Sequence, residues 1–434
     1  MSGSFKKNII SNAGAVATSS FTQLLFTVAL ARYLGLEDFA RYVSAVALIA
    51  VMEISSDFGT RIWAIRMFAL SSHPRPIMRA ALHSKLFYSA ICAGIVFIMP
   101  ITGLNFMEKT LSILIAVTQP FTNPFQWYLQ GKERMDIDAA VLLVWRVSIP
   151  LLLIGLLVMG IGLDGMLLAW FAMNSLMILL ESRLRIFTPL FETDGANETK
   201  QKGFEVIKMV FPIGASMFLM AIYQRLGVFT LDHIGSHADV AYFGAAFMLV
   251  ISSTPLTFSI VSASFPMIAR SLEEGNLAEY SRISNRMLSL INLFIAAISI
   301  IGVFASPFII TMVYGSAYNH SIPVMIALFP GLYISSVNHS LKFILNALHL
   351  NWADTGTVVL SMAVFFIIIL SVKALPLPIA AALAWVGGEV AAFSLKWFAL
   401  KRMGKLHCLR LVRVVVIFIL ISLVAGFYTF YAGM

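Results

Sequence analysis

Apolar stretches of about twenty residues recur along this chain from end to end, and the connections between them do not exceed roughly twenty residues. That pattern leaves few folds open. A hydrocarbon core has no water to satisfy backbone amides and carbonyls, so only helices and closed barrels cross it. The stretches are continuous and do not alternate with period two, which selects helices. Composition points the same way, with 59% hydrophobic residues, 12% charged residues and a mean hydropathy of +0.89 over 434 residues. The short connections leave no room for an extramembrane catalytic domain.

About thirteen helices are predicted. Six lie near Ala13 to Tyr33, Tyr42 to Ala69, Ala81 to Gly103, Thr110 to Leu129, Ile137 to Ile161 and Gly165 to Arg185. After the polar connection PLFETDGANETKQKG, six more lie near Val206 to Leu231, Val240 to Ile268, Met287 to Met312, Ile322 to Leu345, Ala353 to Val372 and Leu377 to Leu400, and a last helix near Leu411 to Tyr431 stands alone. The expected organisation is an N-terminal lobe over residues 1–190, a cytoplasmic connection over 191–204, a C-terminal lobe over 205–400, and a basic loop with an additional helix over 401–434.

The formal net charge of +9 would suggest nucleic acid in a soluble protein. Here the cations gather in alternate loops, at Arg75 and Arg79, Lys132 and Arg134, Lys200 and Lys202, Arg270 and Arg282, and Lys401, Arg402 and Lys405. The opposite loops have hardly any. That asymmetry puts the N-terminus in the cytoplasm and the C-terminus outside, and it removes the case for a nucleic-acid partner. The two cysteines, Cys92 and Cys408, offer neither a disulfide framework nor metal-ligand spacing, and the histidines are scattered. No metal or cofactor is expected, and the absence of a G-x-x-x-x-G-K-[ST] phosphate loop argues against a fused ATPase.

The predicted second helix, within RYVSAVALIAVMEISSDFGTRIWAIRMFAL, carries charges a membrane tolerates poorly. Glu53, Asp57 and Arg61 follow at steps of four, which puts them on one face of a continuous helix. A central Asp or Arg costs roughly 2.5 to 3.5 kcal/mol on insertion, against about 0.3 to 0.6 gained per large apolar residue. Such a face must meet a partner or a wet cavity, as a functional cluster or as an Asp57/Arg61 pair that locks helices together. Glu53 and Glu389 fall near mid-helix, and with Asp57 they are candidates for coupling to an ion gradient.

The two halves echo each other. LARYLGLEDFARYVSAVALI in the first corresponds to LDHIGSHADVAYFGAAFML in the second, and YLQGKERMDIDAA corresponds to ILNALHLNWADTG. Two six-helix repeats in the same orientation form a transporter architecture.

The run ARYLGLEDFARYVSAVALI, the following SSDFG with Arg66, and YLQGKERM resemble the polysaccharide and oligosaccharide flippases of the multidrug/oligosaccharidyl-lipid/polysaccharide exporter superfamily. The resemblance implies an all-α polytopic protein of two pseudo-symmetric six-helix lobes in a V like that of multidrug and toxin extruders, here with an extra C-terminal helix. It also implies a role in O-antigen, capsule or exopolysaccharide assembly in the bacterial inner membrane. The substrate would be an undecaprenyl-diphosphate-linked oligosaccharide with its tail left in membrane lipid, and a glycan polymerase and glycosyltransferases would be partners.

A diphosphate headgroup calls for cations, and Arg binds phosphate oxygens in a bidentate fork. Arg61, Arg146 in the fifth helix and Arg225 in the seventh, the last with Tyr223 and Gln224 beside it, are the candidate headgroup contacts. Pro120 and Pro124 should kink the fourth helix. Gln119, Asn123, Trp127 and Tyr128 would then offer hydrogen bonds and stacking faces to sugars. Lys342 and Lys396 lie nearer the cytoplasmic ends, where snorkelling is the expectation. The competing readings are a multidrug or cation antiporter of the same fold, which would want an acidic cavity, and a membrane-embedded glycan enzyme, against which the short outer loops argue.

Overall fold

The computed structural model describes residues 18–432, apart from 19–21, 24, 71–72, 99–100, 133, 185–186, 188–202, 349 and 404–410. Most of the polar connection, with Lys200 and Lys202, falls outside the described residues, as do the start of the first predicted helix, Lys405 and Cys408. Every element among the described residues is helical. Ten of the helices among them are long and apolar enough to cross a membrane.

Residues 25–33 are helical and lead into α1 (Gly35–Asp57) and α2 (Thr60–Leu70). Then come α3 (Pro74–Ile98), α4 (Phe106–Thr118), a 3-10 turn at Gln119–Thr122, α5 (Asn123–Gly131), α6 (Met135–Val158) and α7 (Leu163–Arg183). The rest of the chain forms α8 (Gly203–Ile234), α9 (His237–Ile251), α10 (Thr254–Glu273), α11 (Leu277–Tyr314), α12 (Ser321–Ala347), α13 (Asn351–Ser371), α14 (Leu377–Arg402) and α15 (Leu411–Ala432). The chain divides into two compact units between Arg225 and Leu226, inside α8.

The predicted helix from Tyr42 to Ala69 is in fact two. Phe58 adopts left-handed angles (φ 34, ψ 45) and Gly59 follows at φ 79, so α1 stops at Asp57 and α2 starts in a new direction. Asp57 and Arg61 therefore do not share a continuous face, and the Asp57/Arg61 pair does not form. A left-handed Phe costs about 1–2 kcal/mol, which its packing must offset. Its ring stacks on Tyr88 at 4.4 Å and leans on Phe211 at 5.6 Å. α8 comes so close that a β-carbon on Gly214 would sit 2.0 Å from the Phe58 ring. Pro120 and Pro124 break the next crossing as expected, through the 3-10 turn between α4 and α5.

In the first unit α1 packs on α3 and α4, α2 on α3 and α5, and α7 on α4 and α6. A clamp holds the N-terminal ends of α1 and α4 together. Asn105 and Glu108 form a capping box on α4, and Arg41 of α1 reaches Glu37 at 2.5 Å and the buried Glu108 at 3.7 Å. In the second unit α12 is the central helix, packed on α9, α10, α11, α13, α14 and α15. The additional helix, α15, lies against both α11 and α12.

Gly214→Ala should overpack the contact with Phe58 and cost about 1–3 kcal/mol. The expected result is a lower unfolding midpoint of the purified protein, partly restored when Phe58→Ala vacates the space.

Candidate functional site

The break after Asp57 gathers a polar cluster inside the first unit. Lys85, on α3, has a side chain with 0% exposure and donates to Asp57 Oδ1. Asn123, the first residue of α5, donates to the same oxygen at 3.4 Å. One turn earlier on α1, Glu53 Oε2 accepts from Gln119 Nε2 at 3.0 Å, and the amide oxygen Oε1 of Gln119 is buried without a partner. The Lys85 ammonium also lies over the Trp127 ring, 4.7 Å from its centroid. Three segments, α1, α3 and α5, thus converge on one carboxylate–ammonium pair, and each partner removes a cost the others would carry alone.

Lys85 is the residue the sequence reading missed. A lysine only four residues inside a predicted apolar helix looks like an end-of-helix cation. The available signal was its membrane location, where an ionisable side chain calls for a named partner, and the nearby α1 carboxylates offered one.

Beyond the helix break a second polar track begins. Arg61 Nη2 approaches Gln130 Oε1 at 3.5 Å, and Gln130 Nε2 donates to Asp138 Oδ2 at 2.9 Å. Arg146 acts electrostatically on both Glu53 and Asp138. Arg61, on the short α2, and Arg146, on the membrane-length α6, are exposed, whereas Gln119, Asn123, Glu53 and Asp57 are partly buried. Arg225 and Gln224 are half-buried, Tyr223 is buried, and Arg225 lies close enough to Tyr42 to act on it. Arg61, Arg146 and Arg225 all fall in the first unit, Arg225 as its last residue.

Trp127 and Tyr128 are corrected as well. They are 2% and 9% exposed, in a core with Phe68, Phe125 and Phe187, and Tyr128 meets Phe68 edge to face at 5.5 Å. A helix beginning at Asn123 turns both rings inward, so neither offers a free face to a sugar.

The second unit has its own network. Asn338 Nδ2 donates to Glu389 Oε2 at 2.7 Å and to the Glu389 carbonyl at 2.8 Å, while Lys396 Nζ donates to the Asn338 carbonyl at 3.1 Å. Asp354 lies 3.3 Å from Lys396 and 3.4 Å from Lys342. Neither lysine snorkels freely, because a buried carboxylate on α13 draws both inward. Glu53, Asp57 and Glu389, the three proposed coupling carboxylates, are all engaged by side chains of their own unit. Among the described residues no three His, Cys, Asp or Glu side chains come together to hold a metal ion.

Residues 5–272 match the family model described as polysaccharide biosynthesis protein. The chain belongs to this family. No curated relative matches its sequence. Its fold is that of transporters of the MOP superfamily. Over 97% of each chain it resembles a lipid II flippase, MurJ, in an inward closed conformation, with a TM-score of 0.70 and 14% identity. An inward-facing multidrug resistance MATE family transporter matches 90% of this chain and 95% of its own at TM-score 0.66 and 14% identity. An outward-facing one matches 93% and 96% at 0.61 and 14%. This family member is therefore an all-helical, multi-pass membrane protein with a transporter fold.

Lys85→Met should strand Asp57 in a poorly solvated setting and cost about 3–5 kcal/mol. Thermal unfolding of the single variants and of Lys85→Met with Asp57→Leu checks this. The double variant should lose much less than the two single losses added together.

Proposed function

We propose that the protein moves an undecaprenyl-diphosphate-linked oligosaccharide, an O-antigen, capsule or exopolysaccharide unit, from the inner to the outer leaflet of a bacterial inner membrane. In this reading it is a transporter and not an enzyme. The first and second units alternate access, the N-terminus is cytoplasmic and the C-terminus periplasmic, and the lipid tail stays in the bilayer. The polymerase and glycosyltransferases of the same assembly line are the expected partners.

The observation that carries this reading is the placement of Arg61 and Arg146. Both are exposed, Arg146 on a helix long and apolar enough to cross a membrane and Arg61 on the short α2 that follows the break after α1, while the carboxylates of α1 are already engaged, Asp57 by Lys85 and Glu53 by Gln119. An exposed guanidinium at membrane depth suits a ligand that brings its own negative charge, and a diphosphate matches the guanidinium fork. Gln119 and Asn123, half-buried in the same cluster, would hydrogen-bond the first sugar. Arg225, with Gln224, would supply a further cation from α8. Family membership over residues 5–272 supports a glycan substrate. The fold shared with multidrug transporters favours a second reading, export of organic cations, in which the carboxylates and not the arginines would carry the ligand.

In cells lacking this gene, accumulation of the lipid-linked sugar on the cytoplasmic leaflet reads the activity. Arg61→Ala and Arg146→Ala should each slow its transfer about tenfold or more, as expected for loss of a charge-assisted contact of about 1.5–3 kcal/mol. Full complementation by both variants, with dye export impaired by Glu53→Gln, would instead establish the cation exporter.

A further inference from the structure

We infer that Asp138 and Glu181 bind a small monovalent cation, a proton or a sodium ion, where α6 meets α5 and α7 in the first unit. Glu181 is 1% exposed, and both of its carboxylate oxygens lack a hydrogen-bond partner. Asp138 is 8% exposed, with one oxygen accepting from Gln130 and the other unpartnered. The charge of Asp138 acts on Glu181, and no described cation pairs with Glu181. Three bare carboxylate oxygens in a water-poor setting ask for a positive charge.

The internal repeat supplies a comparison within the same molecule. The echo between residues 128–140 and 344–356 sets Asp138 against Asp354. Leu168-Ala169-Trp170 of α7 matches Leu383-Ala384-Trp385 of α14, and the same spacing sets Glu181 against Lys396 and Asn174 against Glu389. In the second unit this position holds an acid–base pair, Asp354 with Lys396 at 3.3 Å. In the first unit the same two places hold two acids. Among the described residues no side chain brings Glu181 the charge that Lys396 of α14 brings Asp354, and an exchangeable cation fills that role.

The neighbouring groups leave room for it. Arg61 on α2 and Arg146 on α6 act on the pair only through Asp138. α5 faces it with the neutral Gln130, whose amide nitrogen is already committed to Asp138. Glu108 and Lys109 stand in the first turn of α4, at the far end of that crossing. Arg183 is exposed and lies two residues past Glu181, nearly across the helix. Glu181 is two residues from the end of α7 and Asp138 three residues past the start of α6, so a cation would reach the pair from one face of the membrane.

This site would couple the transport proposed above to an ion gradient, and it is tested without any glycolipid, so its failure leaves the flippase reading standing. The full-length protein is purified and its unfolding midpoint followed along two series. One replaces choline chloride with sodium chloride at fixed alkaline pH, and the other lowers the pH in choline chloride alone. The wild type should gain about 2–5 °C in at least one series, as for a ligand that binds only the folded state. A sodium response identifies the metal ion and a pH response the proton. Glu181→Gln and Asp138→Asn should abolish the response. Glu181→Lys, which copies the pairing of the second unit, should fold at least as stably as the cation-free wild type and respond to neither series. A wild type indifferent to both series, or variants that respond as the wild type does, would overturn the site.

Discussion

Lys85 reaching Asp57 is the contact on which the first unit turns. α1 ends at Asp57, because the left-handed Phe58 and Gly59 break the helix, and an unpaired carboxylate at membrane depth would cost more than the helix gains from several leucines. The ammonium from α3 removes that cost, and the pair then sets the positions of its neighbours. Asn123 starts α5 beside Asp57, Trp127 lies under the ammonium, and Gln119 turns to Glu53. The acids on α1 are thereby satisfied from within the first unit.

Much of this was legible in the chain. Continuous apolar runs give the helices, because the membrane leaves the backbone no other way to satisfy itself, and Pro120 with Pro124 marks the interruption between α4 and α5. The break at Phe58 was not legible. DFGT inside an apolar run reads as an ordinary helical turn, and only the aromatic wall of Tyr88 and Phe211 with the bare backbone at Gly214 makes a left-handed Phe tolerable. Charge spacing was similarly misleading. Steps of four put Asp57 and Arg61 together only if the helix continues, whereas the true partner of Asp57 lies on α3. Trp127 and Tyr128 show the same limit, since composition cannot tell an aromatic that faces a cavity from one that faces a core.

The two units share an architecture but not its electrostatics. In the second, Asp354, Glu389, Lys342 and Lys396 gather around Asn338, and each of these four has a partner within its own unit. In the first, Arg61 and Arg146 stay exposed and Glu181 stays bare. One copy of the duplicated scaffold pairs its buried acid with lysines, and the other leaves Glu181 without a partner. In the proposed function the open network would serve anionic cargo and a small cation.

The claim that the exposed arginines line a water-filled path, and do not face lipid, can be measured directly. Arg61→Cys and Arg146→Cys are placed singly in a chain carrying Cys92→Ala and Cys408→Ala and are offered a membrane-impermeant maleimide in intact membranes. The account predicts that both positions react, and that a lipid-linked diphosphate oligosaccharide slows the reaction. If neither position reacted while a loop cysteine did, the arginines would lie in lipid and the account would be contradicted.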